Sequence, residues 1–196
     1  MKQGRSLRRK LEWLARTPFH PQWLLERSDI VAEIRTCSGT VLDIGAADRW
    51  AARQLSPEAH YVALDYPPTG RERYDARPDV FADGRYLPVL SSSVDAVLCL
   101  EVLEHVDGSE LVLAEIARVL VPGGVAMLSM PFLYPVHDAP FDFQRWTRFG
   151  WDRRLAACGL RVEGLCQRGH SVRVASMLLA MAVAGPLLQG GRLRLF

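Results

Sequence analysis

Thr40-Val41-Leu42-Asp43-Ile44-Gly45 is a short apolar run that stops at a glycine, the pattern of a buried parallel strand entering a tight turn. Similar runs recur at 60–65, 80–83, 94–100, 125–130 and 160–166. Between them, 51–55 and especially 109–120 carry helical spacing. In the longer stretch Leu111, Ala114, Ile116 and Val119-Leu120 can share one buried stripe, and Pro122-Gly123-Gly124 stops the helix. Strands alternating with helices predict parallel crossovers, hence an α/β fold with a doubly wound, mostly parallel, Rossmann-like sheet. Residues 66–79 are rich in proline and charge and read as a loop. Two helical patterns, 6–16 and 22–35, precede the first strand, separated by Thr17-Pro18 and Pro21. The chain therefore divides into an N-terminal helical cap (1–38), a ligand-binding core (39–168) and an apolar C-terminal helix and tail (169–196).

With 196 residues, 49% of them hydrophobic, the chain fits one domain with one site. Cys37, Cys99, Cys158 and Cys166 never approach CxxC spacing, which suits a reducing cytoplasm. The five histidines lack paired i, i+4 spacing, so no metal site is predicted. Net charge is +4 over 1–40, −9 over 41–144 and +7 over 145–196. An acidic middle suits carboxylates gathered around a cationic ligand, and basic flanks suit an anionic substrate or membrane surface. Leu11-Glu12-Trp13 breaks the apolar stretch a signal peptide would need. The uncharged segment from Val174 to Gly191 is interrupted by Gly185-Pro186 and falls short of the ~20 residues of a spanning helix, so it reads as a buried or interfacial helix. Left uncovered, it would offer a patch for peripheral membrane contact or a homodimer. No aromatic-basic interleaving points to nucleic acid.

In a doubly wound sheet, ligands bind beyond the carboxyl ends of the strands. Asp43 and Gly45 close the first predicted strand, Asp65 the second and Asp83 the third, and Glu101 follows the fourth. Asp65 lies twenty residues past Gly45, the interval at which an acidic residue meets ribose hydroxyls in nucleotide-binding βαβ units. Gly45 lets the backbone approach a ligand, and Asp43 can face a cationic amino group. GxGxxG is absent, and Asp48 after Ala46-Ala47 would repel a pyrophosphate, which disfavours a nicotinamide oxidoreductase.

The run Val41 to Gly45, then Asp65, then Ala82-Asp83-Gly84 with Leu87-Pro88, then Val94-Asp95-Ala96-Val97 with Glu101 to His105, and finally Pro122-Gly123-Gly124, resembles class I S-adenosylmethionine-dependent methyltransferases of the type 11, ubiquinone-biosynthesis-like group. The resemblance spans about 40–166. It implies S-adenosylmethionine (SAM) as cofactor, with Gly45 and its neighbour Ala46 at the methionine end, Asp65 and the adjacent Tyr66 at the ribose, Asp83 and Gly84 at the adenine, and Glu101 bordering the pocket. The second and third glycines of the family turn are here Ala47 and Arg49, so Arg49 must point outward. The family's seventh strand would have to come from 192–196.

Residues 131–147 mix aromatics, prolines and ionisable groups and resemble an acceptor-side loop. Methyl transfer is an in-line displacement that gains from positioning. If the acceptor is a hydroxyl, His137 is the candidate base, with Asp142 or Asp138 orienting it and Arg145 a further substrate contact. The alternative is a loop staple in which His137 and Asp142 bond local backbone. His105 reads as a packing residue beneath the cofactor. The expectation is a methyltransferase acting at oxygen on a small molecule, lipid-linked or glycan-related; the competing reading is a non-catalytic module that kept the fold.

Overall fold

A computed structural model describes residues 28–68, 77–167 and, between 171 and 179, all but 173 and 177. The predicted helix 6–16, the first part of 22–35 and the tail beyond 179 lie outside the described residues. Asp29–Gly164 forms one compact unit. Its elements are α1 (Ser28–Ile34), β1 (Thr40–Ile44), β2 (His60–Asp65), β3 (Val80–Phe81), β4 (Val94–Leu100), α2 (Ser109–Val119), β5 (Leu120–Ser129) and α3 (Arg148–Ala157). Short 3-10 turns stand at Ala51–Arg53 and Leu103–His105. The five strands pair in parallel in the order β3-β2-β1-β4-β5, so their carboxyl ends share one edge.

Period-two alternation decides which face each strand residue serves. Leu42 and Ile44 of β1 and Val97 and Cys99 of β4 pack with α2 and α3. Val41, Ala96 and Leu98 on the other face pack with Ile30, Ile34 and Cys37 at and after α1. A sheet covered on both faces explains the near-continuous apolar runs of β1 and β4. It also places α1, read from sequence as part of a cap, against the core.

Three sequence expectations are corrected. The buried stripe of α2 is Ser109, Val112, Leu113, Ile116 and Val119, an i, i+3, i+4, i+7 ladder, whereas Leu111 (47% exposed) and Ala114 face outward. Pro122-Gly123-Gly124 does not simply follow the helix but lies within β5, where Leu120 pairs with Val94 and Val125 already pairs with Ala96. The extra residues bulge out, with Gly123 at φ +85°. At Gly124 a Cβ would stand 3.0 Å from the Asp95 and Val121 carbonyl oxygens.

The third correction is the strand expected over 160–166, because no strand forms there among the described residues. Leu160 instead closes α3. Its N–H donates to the Leu155 carbonyl (2.9 Å) while Gly159, at φ +77°, donates to Ala156 (3.1 Å). This is the paired cap that ends helices at a left-handed residue, and it turns Leu160 and Val162 against the core instead of toward the edge of β5. No helix among the described residues is long and apolar enough to cross a membrane.

Candidate active site

The turn after β1 is anchored to β2. The Gly45 and Ala46 N–H groups both donate to the Leu64 carbonyl (2.8 and 3.1 Å). Gly45 has φ +75°, and a Cβ there would fall 2.4 Å from Val102 Cγ2. Gly45→Ala is therefore expected to destabilise by at least about 2 kcal/mol, from left-handed strain plus overlap. In urea unfolding, Val102→Ala should return only the overlap part. Ala47 (φ +44°) and Arg49 (φ +57°) hold the left-handed conformations usual for glycine despite their side chains. Side chains impose this geometry: Ala47 N–H donates to Asp65 Oδ2 (2.8 Å), and the Arg49 guanidinium forms a two-pronged pair with Asp79 (3.0 and 3.1 Å). Asp79 is itself held by the Ala63 N–H (2.8 Å). Arg49 thus reaches the start of β3, as an outward-pointing residue must.

Asp43, on the α1 face of β1, is buried and accepts the Tyr61 hydroxyl proton at 2.5 Å. Burial pushes its carboxyl up to about 7 and the neighbouring Asp65 charge adds to the rise, while the Tyr61 bond and Arg49 oppose it. Burial likewise raises the Tyr61 phenol. Because an unfolded aspartate titrates near 3.9, the folded chain holds the extra proton between about pH 4 and 7. Stability from this group is present at acid pH and lost as pH rises through about 7, by at most about 1.4 kcal/mol per unit. Melting curves at pH 5 and 8 should show a flatter dependence for Asp43→Asn.

Asp65, at the end of β2, uses one oxygen for the Ala47 N–H and the other for the Tyr66 N–H (2.8 Å each). Burial raises its pKa and these two bonds oppose the rise. Each oxygen keeps a second lone pair, so a diol can still be accepted. Tyr66 is exposed beside it. Asp83, two residues past β3, is gripped by Arg85 through Nε (3.1 Å) and Nη2 (2.7 Å), which holds its carboxyl below the usual range. Gly84 lies over Ile44 and Val112, with room for ordinary contact. Glu101, just past β4, has φ +56° and accepts the Ser129 hydroxyl at 2.6 Å. The predicted cofactor residues therefore stand at the ends of adjacent parallel strands.

The loop after β5 brings its ionisable groups to the same edge. Asp142 is nearly inaccessible and forms a two-pronged pair with Arg145, which holds its carboxyl well below the usual range. It also accepts the His137 backbone N–H (2.9 Å), and His137 Nδ1 lies 3.1 Å from the same oxygen. The staple and the oriented imidazole coexist in one pair. The His137 ring meets His105 and Tyr134 edge-on, with centroids 4.8 and 4.9 Å apart. Gln144 ties the loop to the connection after β4: its amide donates to Leu103 O, Val106 O and Ser109 Oγ, and its oxygen accepts from Trp146 Nε1.

Sequence reasoning missed Glu104. It is wholly buried, and neither carboxylate oxygen has a hydrogen-bond partner among the described residues. Burial pushes its pKa up to about 8, with Glu101 adding and Arg145 opposing. The only sequence signal was a Glu-His pair directly after an apolar strand. His105, read as packing, lies beside this carboxylate, with Nε2 3.6 Å from Glu104 Oε1.

A parallel sheet with carboxylates closing β1 and β2 and an ionisable loop after β5 defines a class I methyltransferase fold. Residues 42–128 match the family model described as "Methyltransferase domain", of type 11. An "uncharacterized methyltransferase" of Mycobacterium ulcerans (strain Agy99) is 33% identical over 128 residues, 61% of this chain and 46% of that protein. One from Mycobacterium sp. (strain JLS) is 36% identical over 110 residues, 52% and 41% respectively. The chain thus spans less than half the length of these curated relatives. Among solved structures, a SAM-dependent methyltransferase from Aquifex aeolicus superposes with TM-score 0.60 at 15% identity, covering 83% of this chain and 93% of that one. One from Mesorhizobium loti gives 0.56 at 14% identity, covering 80% and 91%.

Proposed function

We propose that this chain transfers the methyl group of SAM to a hydroxyl oxygen of a small molecule, of lipid-linked or glycan-related type. The observation that carries this reading is the His137–Asp142 pair, placed on the same sheet edge as Asp43, Asp65 and Asp83. When bound, SAM supplies an electrophilic methyl carbon on a sulfonium. Asp65 would accept the ribose hydroxyls with its remaining lone pairs, and Asp83 the adenine amino group beside its bond to Arg85. Asp43 would meet the methionine ammonium, so SAM should bind more tightly as pH rises through about 7 and this carboxyl ionises. Asp142 fixes the His137 ring through Nδ1 and leaves Nε2 to take the acceptor's proton as its oxygen attacks.

The Ala47 and Arg49 substitutions in the turn are one ground for the non-catalytic reading, yet the turn backbone they form is glycine-like. Calorimetry with SAM and NAD, followed by transfer of labelled methyl to a panel of phenols, sugars and long-chain alcohols, tests the proposal. Saturable SAM binding with label in a hydroxyl acceptor is expected. Failure to bind SAM at millimolar concentration would leave only the module.

A further inference from the structure

We propose that Glu104, His105 and His137 bind one divalent transition-metal ion. One ligand atom from each lies within 4.8 Å of the others. Glu104 is fully buried and neither of its oxygens lies within hydrogen-bond distance of a partner side chain among the described residues, a state that ordinary folding avoids. A cation between it and the two imidazoles supplies what the carboxylate lacks.

Both histidines are set as metal-ligating imidazoles are, with one ring nitrogen held by an acceptor behind it. His105 Nδ1 lies 2.5 Å from the Phe141 carbonyl oxygen, which can only accept, so Nδ1 carries the proton. Its Nε2 then faces Glu104 Oε1 at 3.6 Å. His137 Nδ1 lies 3.1 Å from Asp142 Oδ2 and 3.3 Å from the Pro135 carbonyl, both nearer than the Arg145 Nη2 donor at 3.4 Å. Its proton therefore also sits on Nδ1, and Nε2 is the ligating atom.

Two imidazoles and one carboxylate favour Mn²⁺, Co²⁺ or Zn²⁺ over Mg²⁺ or Ca²⁺. Tetrahedral bonds of about 2.1 Å place ligand atoms about 3.4 Å apart, so small rotamer shifts close the site.

The ion's use in methyl transfer rests on the proposed function; its binding does not. In that use the ion would hold the acceptor oxygen in the open coordination position, and the hydroxyl proton would leave to solvent. The oxygen would then form the bond to the methyl carbon while the C–S electron pair stays on sulfur. With the ion bound His137 Nε2 would be a ligand, and the proton-accepting role proposed above would belong to the ion-free site.

The test uses the full chain stripped with a chelator. Mn²⁺ is titrated by loss of the free-ion electron paramagnetic resonance signal, Zn²⁺ by calorimetry, and SAM binding is measured in parallel. One equivalent should bind, with affinity at least tenfold weaker in Glu104→Gln and in His105→Ala and unchanged in His60→Ala. If Glu104→Gln does not fold, His105→Ala and His137→Ala carry the comparison, with melting temperature as the control for folding. Absence of saturable Mn²⁺ and Zn²⁺ binding at 1 mM in wild type that binds SAM would overturn the site. So would undiminished ion affinity in the folded variants. Ion binding without SAM binding would support the site and overturn the methyltransferase reading.

Discussion

Asp65→Ala is expected to abolish SAM binding and, in the absence of any ligand, to lower folding stability by about 2 kcal/mol or more. The stability loss follows from geometry: the side chain satisfies the N–H groups of Ala47 and Tyr66, and Ala47 sits at φ +44° in part because of that bond. The binding loss follows from chemistry, since an alanine offers a ribose no acceptor. Asp65→Asn separates the two. Its amide keeps one acceptor oxygen, so urea unfolding should show a smaller loss while SAM affinity still drops at least tenfold. Unchanged affinity in the alanine variant would remove the ribose from this strand end.

The second large effect is at His137. In His137→Ala, turnover with a hydroxyl acceptor should drop about a hundredfold or more, while calorimetric SAM affinity stays within about twofold of wild type. The loop should survive, because the bond from the residue-137 backbone N–H to Asp142 does not need the imidazole. Asp142→Asn is the harsher change. It takes the charged partner from a half-buried Arg145 whose Nε already lacks an acceptor among the described residues, so stability and turnover should decline together. Full activity in His137→Ala would reduce the pair to its stapling role.

The sheet was legible from sequence because its interior strands are buried on both faces. Val41 to Ile44 and Val94 to Leu100 read as strands through apolar continuity alone, and the carboxylates at their ends followed from the parallel order. Short apolar stretches near helix ends carried no such information: Leu160 and Val162 look like a strand, yet they are the apolar half of a helix stop. The α2 stripe was misplaced because Leu111 and Ala114 satisfy helical spacing as well as Val112 and Leu113 do. Glu104 and His105 stayed illegible as a site for a different reason. Their partner His137 is 32 positions past His105, and only the β4–β5 pairing together with the Gln144 strut brings the rings together.

Ala47 and Arg49 bear on how such domains are found. Their loop keeps its shape through aspartates 18 and 30 positions downstream, so the specification for one bend is distributed over two later segments of the chain. Searches that demand three glycines in a row of five will pass over proteins built this way, whereas a query pairing one glycine with acids 20 and 34 positions after it would recover them.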